Sequence, residues 1–264
     1  MPVNKLVCIA LLALASAAPA AAQQQPPANT VMVTVQGQVQ TAGTYAVAER
    51  GRIGDAVVAA GPDSQAYVLG AALLRRSAMA EQVRLKAGLV YDLQQLSQQA
   101  NAAVAEQAGQ MLASIEPLPV TGRITGLQLE PRLLRLRPEL NLPAESGDQV
   151  IYPTRPQQIR VTGAVAQECV LPQVADQDAK TYLLACPTTA AADSETVFVI
   201  QPDGKVQELG VALWNRSPAQ SLAPGAVIYV PLKQHVAAKV DPVFNHQFAE
   251  FLATQLLPAN GATP

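Results

Sequence analysis

The chain writes one short grammar of residues twice. Val33-Thr-Val-Gln-Gly-Gln-Val39 returns as Ile159-Arg-Val-Thr-Gly-Ala-Val165, with glycine at the same place. Gly70-Ala-Ala-Leu-Leu-Arg-Arg-Ser77 aligns with Gly210-Val-Ala-Leu-Trp-Asn-Arg-Ser217. Ser146-Gly-Asp-Gln-Val-Ile-Tyr-Pro153 aligns with Pro224-Gly-Ala-Val-Ile-Tyr-Val-Pro231. Three matches in the same order read as an internal duplication, which confines 264 residues to two similar small units rather than one large domain. Ser77 lies far from Gly147, whereas Ser217 lies close to Gly225, so the alignment gives the first unit a long insertion, placed at about residues 78–116.

Each unit reads as strand, turn, strand, helix. Val31, Val33, Val35 and Val39 alternate with polar residues, the period of a strand with one buried face. Tyr45 and Val47 follow a turn at Ala42-Gly43, and Ile53, Ala56, Val57 and Ala60 then recur at helical spacing before the stop Gly61-Pro62. In the second unit Val197–Ile200 and Lys205–Leu209 flank Pro202-Asp203-Gly204, a hairpin signal. Within the insertion Leu89, Leu93, Leu96, Ala100, Val104, Met111 and Ile115 keep near-helical spacing. The expected class is α+β, with units at residues 30–156 and 157–233 and an amphipathic helix at 240–258.

Lys5, an apolar run from Leu6 to Ala18, and Ala20 and Ala22 before Gln23 compose a cleavable signal peptide over residues 1–22. A polar leader at 23–29 follows, and the expected location is the periplasm. There Cys169 and Cys186 are expected to join as a disulfide, the alternative being two free buried thiols. With 18 Lys and Arg against 20 Asp and Glu, unclustered, nucleic acid is not an expected partner.

Val-x-Val-x-Gly-x-Val, Ala42-Gly-Thr-Tyr45 and Ile53-Gly-Asp-Ala-Val57 resemble the soluble-ligand-binding β-grasp module of polysaccharide export proteins. The whole arrangement is similar to the GfcC-type capsule biosynthesis proteins, and Leu118-Pro-Val-Thr-Gly-Arg123 resembles a motif of that family. The resemblance implies a periplasmic accessory protein of capsule or exopolysaccharide assembly, with no catalysis and no cofactor, whose partner is a polysaccharide or an export-machinery protein. The cysteine pair is a departure from the pattern. Two rival readings are a structural subunit of an outer-membrane export complex and a cryptic polysaccharide-modifying enzyme.

No catalytic or metal-ligating motif stands out: His235 and His246 lack the spacing of a zinc site, and neither a nucleophile elbow nor a phosphate loop is present. Arg123 is the candidate ligand-binding residue, since a guanidinium in that turn suits carboxylates or sugar hydroxyls. The competing reading is a structural arginine bonded to backbone carbonyls. Arg75, Arg76 and Arg216 read as solvated charges, and Arg132, Arg135 and Arg137, alternating with leucines, as the wet face of a strand. Val243, Phe244, Phe248, Phe251, Leu252 and Leu256 form one helical stripe. That stripe docks on its own unit or contacts a partner or the outer membrane, with Phe244, Phe248, Phe251 and Leu252 as the contact residues.

Overall fold

The computed structural model describes residues 29–257; the expected signal peptide at 1–22 and the expected leader as far as residue 28 lie outside the described residues. Strands β1 (Thr30–Gly37), β2 (Gly43–Ala48), β3 (Ala72–Leu74), β4 (Arg123–Ile124) and β5 (Gln149–Tyr152) form a sheet of order β2-β1-β5-β3-β4. Strands β6 (Gln158–Gly163), β7 (Cys169–Pro172), β8 (Thr196–Ile200), β9 (Val206–Gly210) and β10 (Val227–Val230) form a second, of order β7-β6-β10-β8-β9. In both sheets the first strand pairs parallel with the last and the remaining pairs are antiparallel, so the two halves share one β-grasp-like topology.

The glycine shared by the two valine-rich strands has a steric cause. Gly37 and Gly163 end β1 and β6 at φ 92° and 98°. A Cβ on Gly37 would stand 2.1 Å from the carbonyl oxygen of Tyr152, and one on Gly163 would stand 2.3 Å from that of Val230. Only glycine allows this left-handed turn against the neighbouring strand.

The alignment of Gly70–Ser77 with Gly210–Ser217 does not hold in space. Leu73 pairs with Val150 on β5, and the residue that pairs with the equivalent Ile228 on β10 is Val199. Thus β3 corresponds to β8, and the segment after Gly210 is a loop in which Trp214 is 74% exposed. The insertion therefore joins Leu74 to Arg123 where a tight turn joins Ile200 to Val206.

That insertion is a hairpin of two helices, α2 (Arg76–Ser97) and α3 (Ala102–Ile115). Asn101 begins the second by accepting from the N–H groups of Ala103 and Val104 at 3.1 and 3.3 Å. The hairpin leaves the first half and packs on the second. Leu89, Leu93, Leu96, Val104, Met111 and Ile115 join one core with Val161, Phe198 and Tyr229, while Gln107 donates to the carbonyl of Gly163 at 2.9 Å. The first half keeps its own core of Val33, Val35, Ile53, Val57, Leu73, Val150 and Tyr152, beneath α1 (Ile53–Ala60).

Two charge assignments need correction. Arg132 and Arg135 lie in a helix, α4 (Pro131–Leu136), and Arg137 caps it, so this is no strand face. Glu130 starts the helix by accepting from the N–H groups of Arg132 and Leu133, with Pro131 at its first position, a start that a count of alternating residues misses. Arg75 is no solvated charge either: its side chain is 10% exposed and pairs with Asp148 and Glu145. Arg76 and Arg216 are exposed.

After α5 (Ala179–Leu184), β8, β9 and β10, the chain ends in α6 (Gln234–Ala237) and α7 (Phe244–Ala253), which packs against α2 and the second sheet. Phe244, Phe248 and Phe251 are at most 1% exposed and Leu252 is 5% exposed. Phe244, Phe248, Phe251 and Leu252 are thus docked on their own molecule rather than presented at its surface, whereas Val243 and Leu256 of the same stripe are exposed. Tyr229 stacks on Phe248 at 4.7 Å between centroids, and burying such rings on the sheet stabilises more than leaving them wet. Among the described residues no helix is long and apolar enough to cross a membrane.

Candidate functional site

The turn Thr121-Gly122-Arg123 is held on both sides. Gln82 of α2 accepts from the N–H of Gly122 at 2.8 Å and donates to the carbonyl of Arg123 at 2.9 Å. Thr121 donates its hydroxyl to the carbonyl of Thr254 at 2.7 Å. Gly122 has φ 73°, and a Cβ there would stand 2.5 Å from the carbonyl oxygen of Arg75, so the turn requires glycine.

From this turn Arg123, 4% exposed, reaches out of the first half into the second. One terminal nitrogen donates to the carbonyls of Ala253 and Gln255 at 3.3 and 2.8 Å, and the other donates to the carbonyl of Pro202 in the β8–β9 turn. Ala253 is the last residue of α7, so the guanidinium satisfies carbonyls that the helix end leaves free and meets the negative end of its dipole. Burial pushes the Arg123 pKa down to about 10, so the side chain stays charged at neutral pH. Among the described residues no carboxylate bonds to it; Asp203 acts on it from a distance and pairs with Lys205 at 3.5 Å. Its Nε is buried and has no hydrogen-bond partner among the described residues. Arg123 is therefore first a tie between the halves.

Other bonds close the same junction. Tyr67 donates its hydroxyl to the carbonyl of Pro224 at 2.9 Å, and Gly126 donates its N–H to the carbonyl of Asp203 at 2.7 Å. Arg155 lies over the Tyr67 ring at 5.8 Å.

Beside the tie lies a cavity of about 690 Å³, within the size range of small-molecule sites. Leu118, Ile159, Ile200, Val227, Leu252 and Leu256 supply its apolar walls. Its polar lining comes from Arg123, Arg155 and Arg160, with the amides of Gln157, Gln158, Gln201 and Gln255. Among the described lining residues there is no aspartate or glutamate. The three arginines grade from exposed Arg155 through half-buried Arg160 to buried Arg123. Arg160 has one partner, Glu168 at 3.5 Å, in a solvent-screened pair. The described lining can bind an anion and hydroxyl groups.

Of the candidate site residues named from the sequence, Arg123 and Leu252 line this cavity, joined by Leu256 of the same stripe and Leu118 of the family-like motif. Cys169 and Cys186 form a disulfide that ties edge strand β7 to the segment after α5. Sequence reasoning missed Arg155 and Arg160. Their signal was position: Arg155 stands in the linker between the units, and Arg160 occupies the strand position matching Thr34 of β1. Among the described residues no cluster of three or more His, Cys, Asp or Glu side chains is arranged to hold a metal.

Residues 27–157 match the family described as Capsule biosynthesis GfcC, N-terminal, and residues 167–257 match Capsule biosynthesis GfcC C-terminal. A curated relative from Escherichia coli (strain K12), described as uncharacterized protein YjbG, is 26% identical over 189 residues, which cover 72% of this chain and 76% of the relative.

Proposed function

The chain belongs to the GfcC capsule-biosynthesis family, whose N- and C-terminal parts it matches in turn, and we propose that it acts without catalysis in the periplasm, binding an acidic glycan during capsule or exopolysaccharide assembly and export. One observation carries this reading: the cavity between the halves offers three arginines and four glutamine amides with no carboxylate among its described lining. Carboxylates pair with guanidinium groups, and sugar hydroxyls exchange hydrogen bonds with amides. The signal peptide expected from the sequence at residues 1–22 supports a place on the export route.

Titration of the purified protein with oligogalacturonate tests the reading. Saturable binding that weakens at least tenfold in Arg160→Gln, together with an unchanged oligosaccharide profile after prolonged incubation, supports a binding role. Shortened or chemically altered oligosaccharide would make the protein an enzyme and overturn it. Deleting the gene is expected to lower cell-surface polysaccharide, and the Arg160→Gln form is expected not to restore it.

A further inference from the structure

The cavity has two chemically different linings, and a free glycan uses only one. Eight of its described wall residues are Leu, Ile or Val, including Ile159 and Ile200 of the second sheet, Leu252 near the end of the C-terminal helix and Leu256 just beyond it. Apolar surface of that kind gains from covering by hydrocarbon, which a hydroxyl-bearing sugar does not supply. The opposite requirement comes from the arginines: buried Arg123 makes no hydrogen bond or ion pair to a carboxylate, Arg155 stacks on an aromatic ring, and Arg160 has only the screened Glu168. Because both terminal nitrogens of Arg123 are engaged by carbonyls and its Nε is buried away from the surface, direct bonding to a ligand falls to Arg155 and Arg160.

We infer that the ligand of this cavity is an anionic amphiphile: a phosphate or carboxylate head held by Arg155 and Arg160, with a hydrocarbon chain against Ile159, Ile200, Val227, Leu252 and Leu256. This rests on the binding role proposed above and deepens it, because such a ligand is a saccharide's lipid carrier rather than the saccharide alone. Charge complementarity fixes the head, and apolar lining fixes the tail. The charge of Arg123, which among the described residues bonds carbonyls and no carboxylate, attracts the head without touching it, since Coulomb attraction persists over several ångströms.

The test is calorimetric titration of the purified protein with four probes: decyl phosphate below its micelle concentration, decyl maltoside, inorganic phosphate and oligogalacturonate. The expected result is that decyl phosphate binds at least tenfold more tightly than decyl maltoside or inorganic phosphate. Arg155→Gln and Arg160→Gln are each expected to lose at least fivefold in affinity for decyl phosphate at unchanged melting temperature. Val227→Trp, which puts bulk into the cavity, is expected to abolish binding; the exposed Arg155→Gln decides the case if that variant fails to fold. Equal binding of inorganic phosphate and decyl phosphate overturns the amphiphile and leaves an anion site. Oligogalacturonate binding without decyl phosphate binding overturns it too, while the glycan reading stands. Silence with all four probes removes both. Decyl phosphate binding that survives both arginine variants places the site elsewhere and overturns the inference.

Discussion

Arg75 donates from Nε and from one terminal nitrogen to the two carboxylate oxygens of Asp148, at 3.0 and 2.7 Å, with the acid 1% exposed. The same carboxylate accepts the N–H of Glu145 at 2.8 Å, so the pair clamps the exit of β3 to the entry of β5. The hydrogen bond to Asp148 raises the pKa of Arg75 above its ordinary value. A buried fork of this kind is costly to break on one side only, because the survivor is left charged and unpaired. Asp148→Ala is expected to cost about 3–5 kcal/mol in urea unfolding. The double variant Arg75→Met, Asp148→Leu is expected to cost clearly less than the two single changes together. Additive costs would show that the two side chains are not coupled.

Arg123 ties three separated parts of the chain, and its loss is expected to show as lost coupling between the halves. Arg123→Ala removes bonds to Pro202, Ala253 and Gln255 and leaves those carbonyls to find water. The expectation is a destabilisation of about 2–4 kcal/mol, from several lost charged hydrogen bonds, and a split of one melting transition into two. Arg123→Lys is expected to recover less than half, since an ammonium cannot span carbonyls that a planar fork reaches together. A single unshifted transition in Arg123→Ala would refute the tie.

Much of this architecture was legible in the sequence because it is periodic or steric. The alternation of Val33 and Val35, the helix stop at Gly61 and the turn at Asp203-Gly204 announce themselves locally. The glycines at 37 and 163 mark the same left-handed corner twice. What stayed hidden depends on partners far along the chain. Arg75 looks like any charge after Leu74 until Asp148 is brought beside it, and Ala-Leu pairs occur often enough to align Gly70 with Gly210 falsely. The cavity was hidden for the same reason, since its walls come from the insertion exit, the linker, β6, β8, β10 and the chain end. The aromatic stripe of α7 fixed a helix but not its neighbour, because a core and a partner ask for the same spacing.

Asp92 gives a pH-dependent expectation. It is 8% exposed on α2, and burial followed by the nearby Asp241 raises its pKa. A carboxyl whose folded pKa lies above its unfolded value favours folding when protonated, and that favour is lost as pH rises through the folded pKa. Asp92→Asn is therefore expected to be more stable than the parent at pH 7, with a melting temperature higher by about 1–3 °C. The gap is expected to close as pH falls towards the ordinary aspartate range of about 3.9. A gap that widened in acid would reverse the sign and exclude this account.

The disulfide closes a loop of sequence separation 17 and holds edge strand β7 to the buried Cys186. Cross-linking limits the unfolded chain, and loops of this size are worth about 3 kcal/mol in the chain-entropy account. The double variant Cys169→Ser, Cys186→Ser is expected to lose about that much in denaturant unfolding, and added reductant is expected to lower the parent's melting temperature without affecting the variant. A reductant effect of equal size on both would place its action elsewhere.

The terminal helix decides between a built-in wall and a detachable arm. Phe248 stacks on Tyr229, Phe198 stacks on Tyr229 at 5.8 Å, and Asn245 donates to the carbonyl of Leu232 at 2.8 Å, so α7 is joined to β8, β10 and the segment leading out of β10. Removing residues 240–264 uncovers those rings and also removes two of the carbonyls that Arg123 bonds, those of Ala253 and Gln255. Phe248→Ala alone is expected to cost about 3–5 kcal/mol, the range for deleting a buried aromatic ring. The truncated chain is expected to bind a hydrophobic dye and to lose a sharp melting transition, while the full chain gives the same mass by light scattering with and without mild detergent. A truncated chain that melts like the parent, beside a full chain whose mass falls when detergent is added, would make α7 an assembly element. The cavity would then lose the wall that Leu252 and Leu256 give it, and the ligand site would have to form between copies instead.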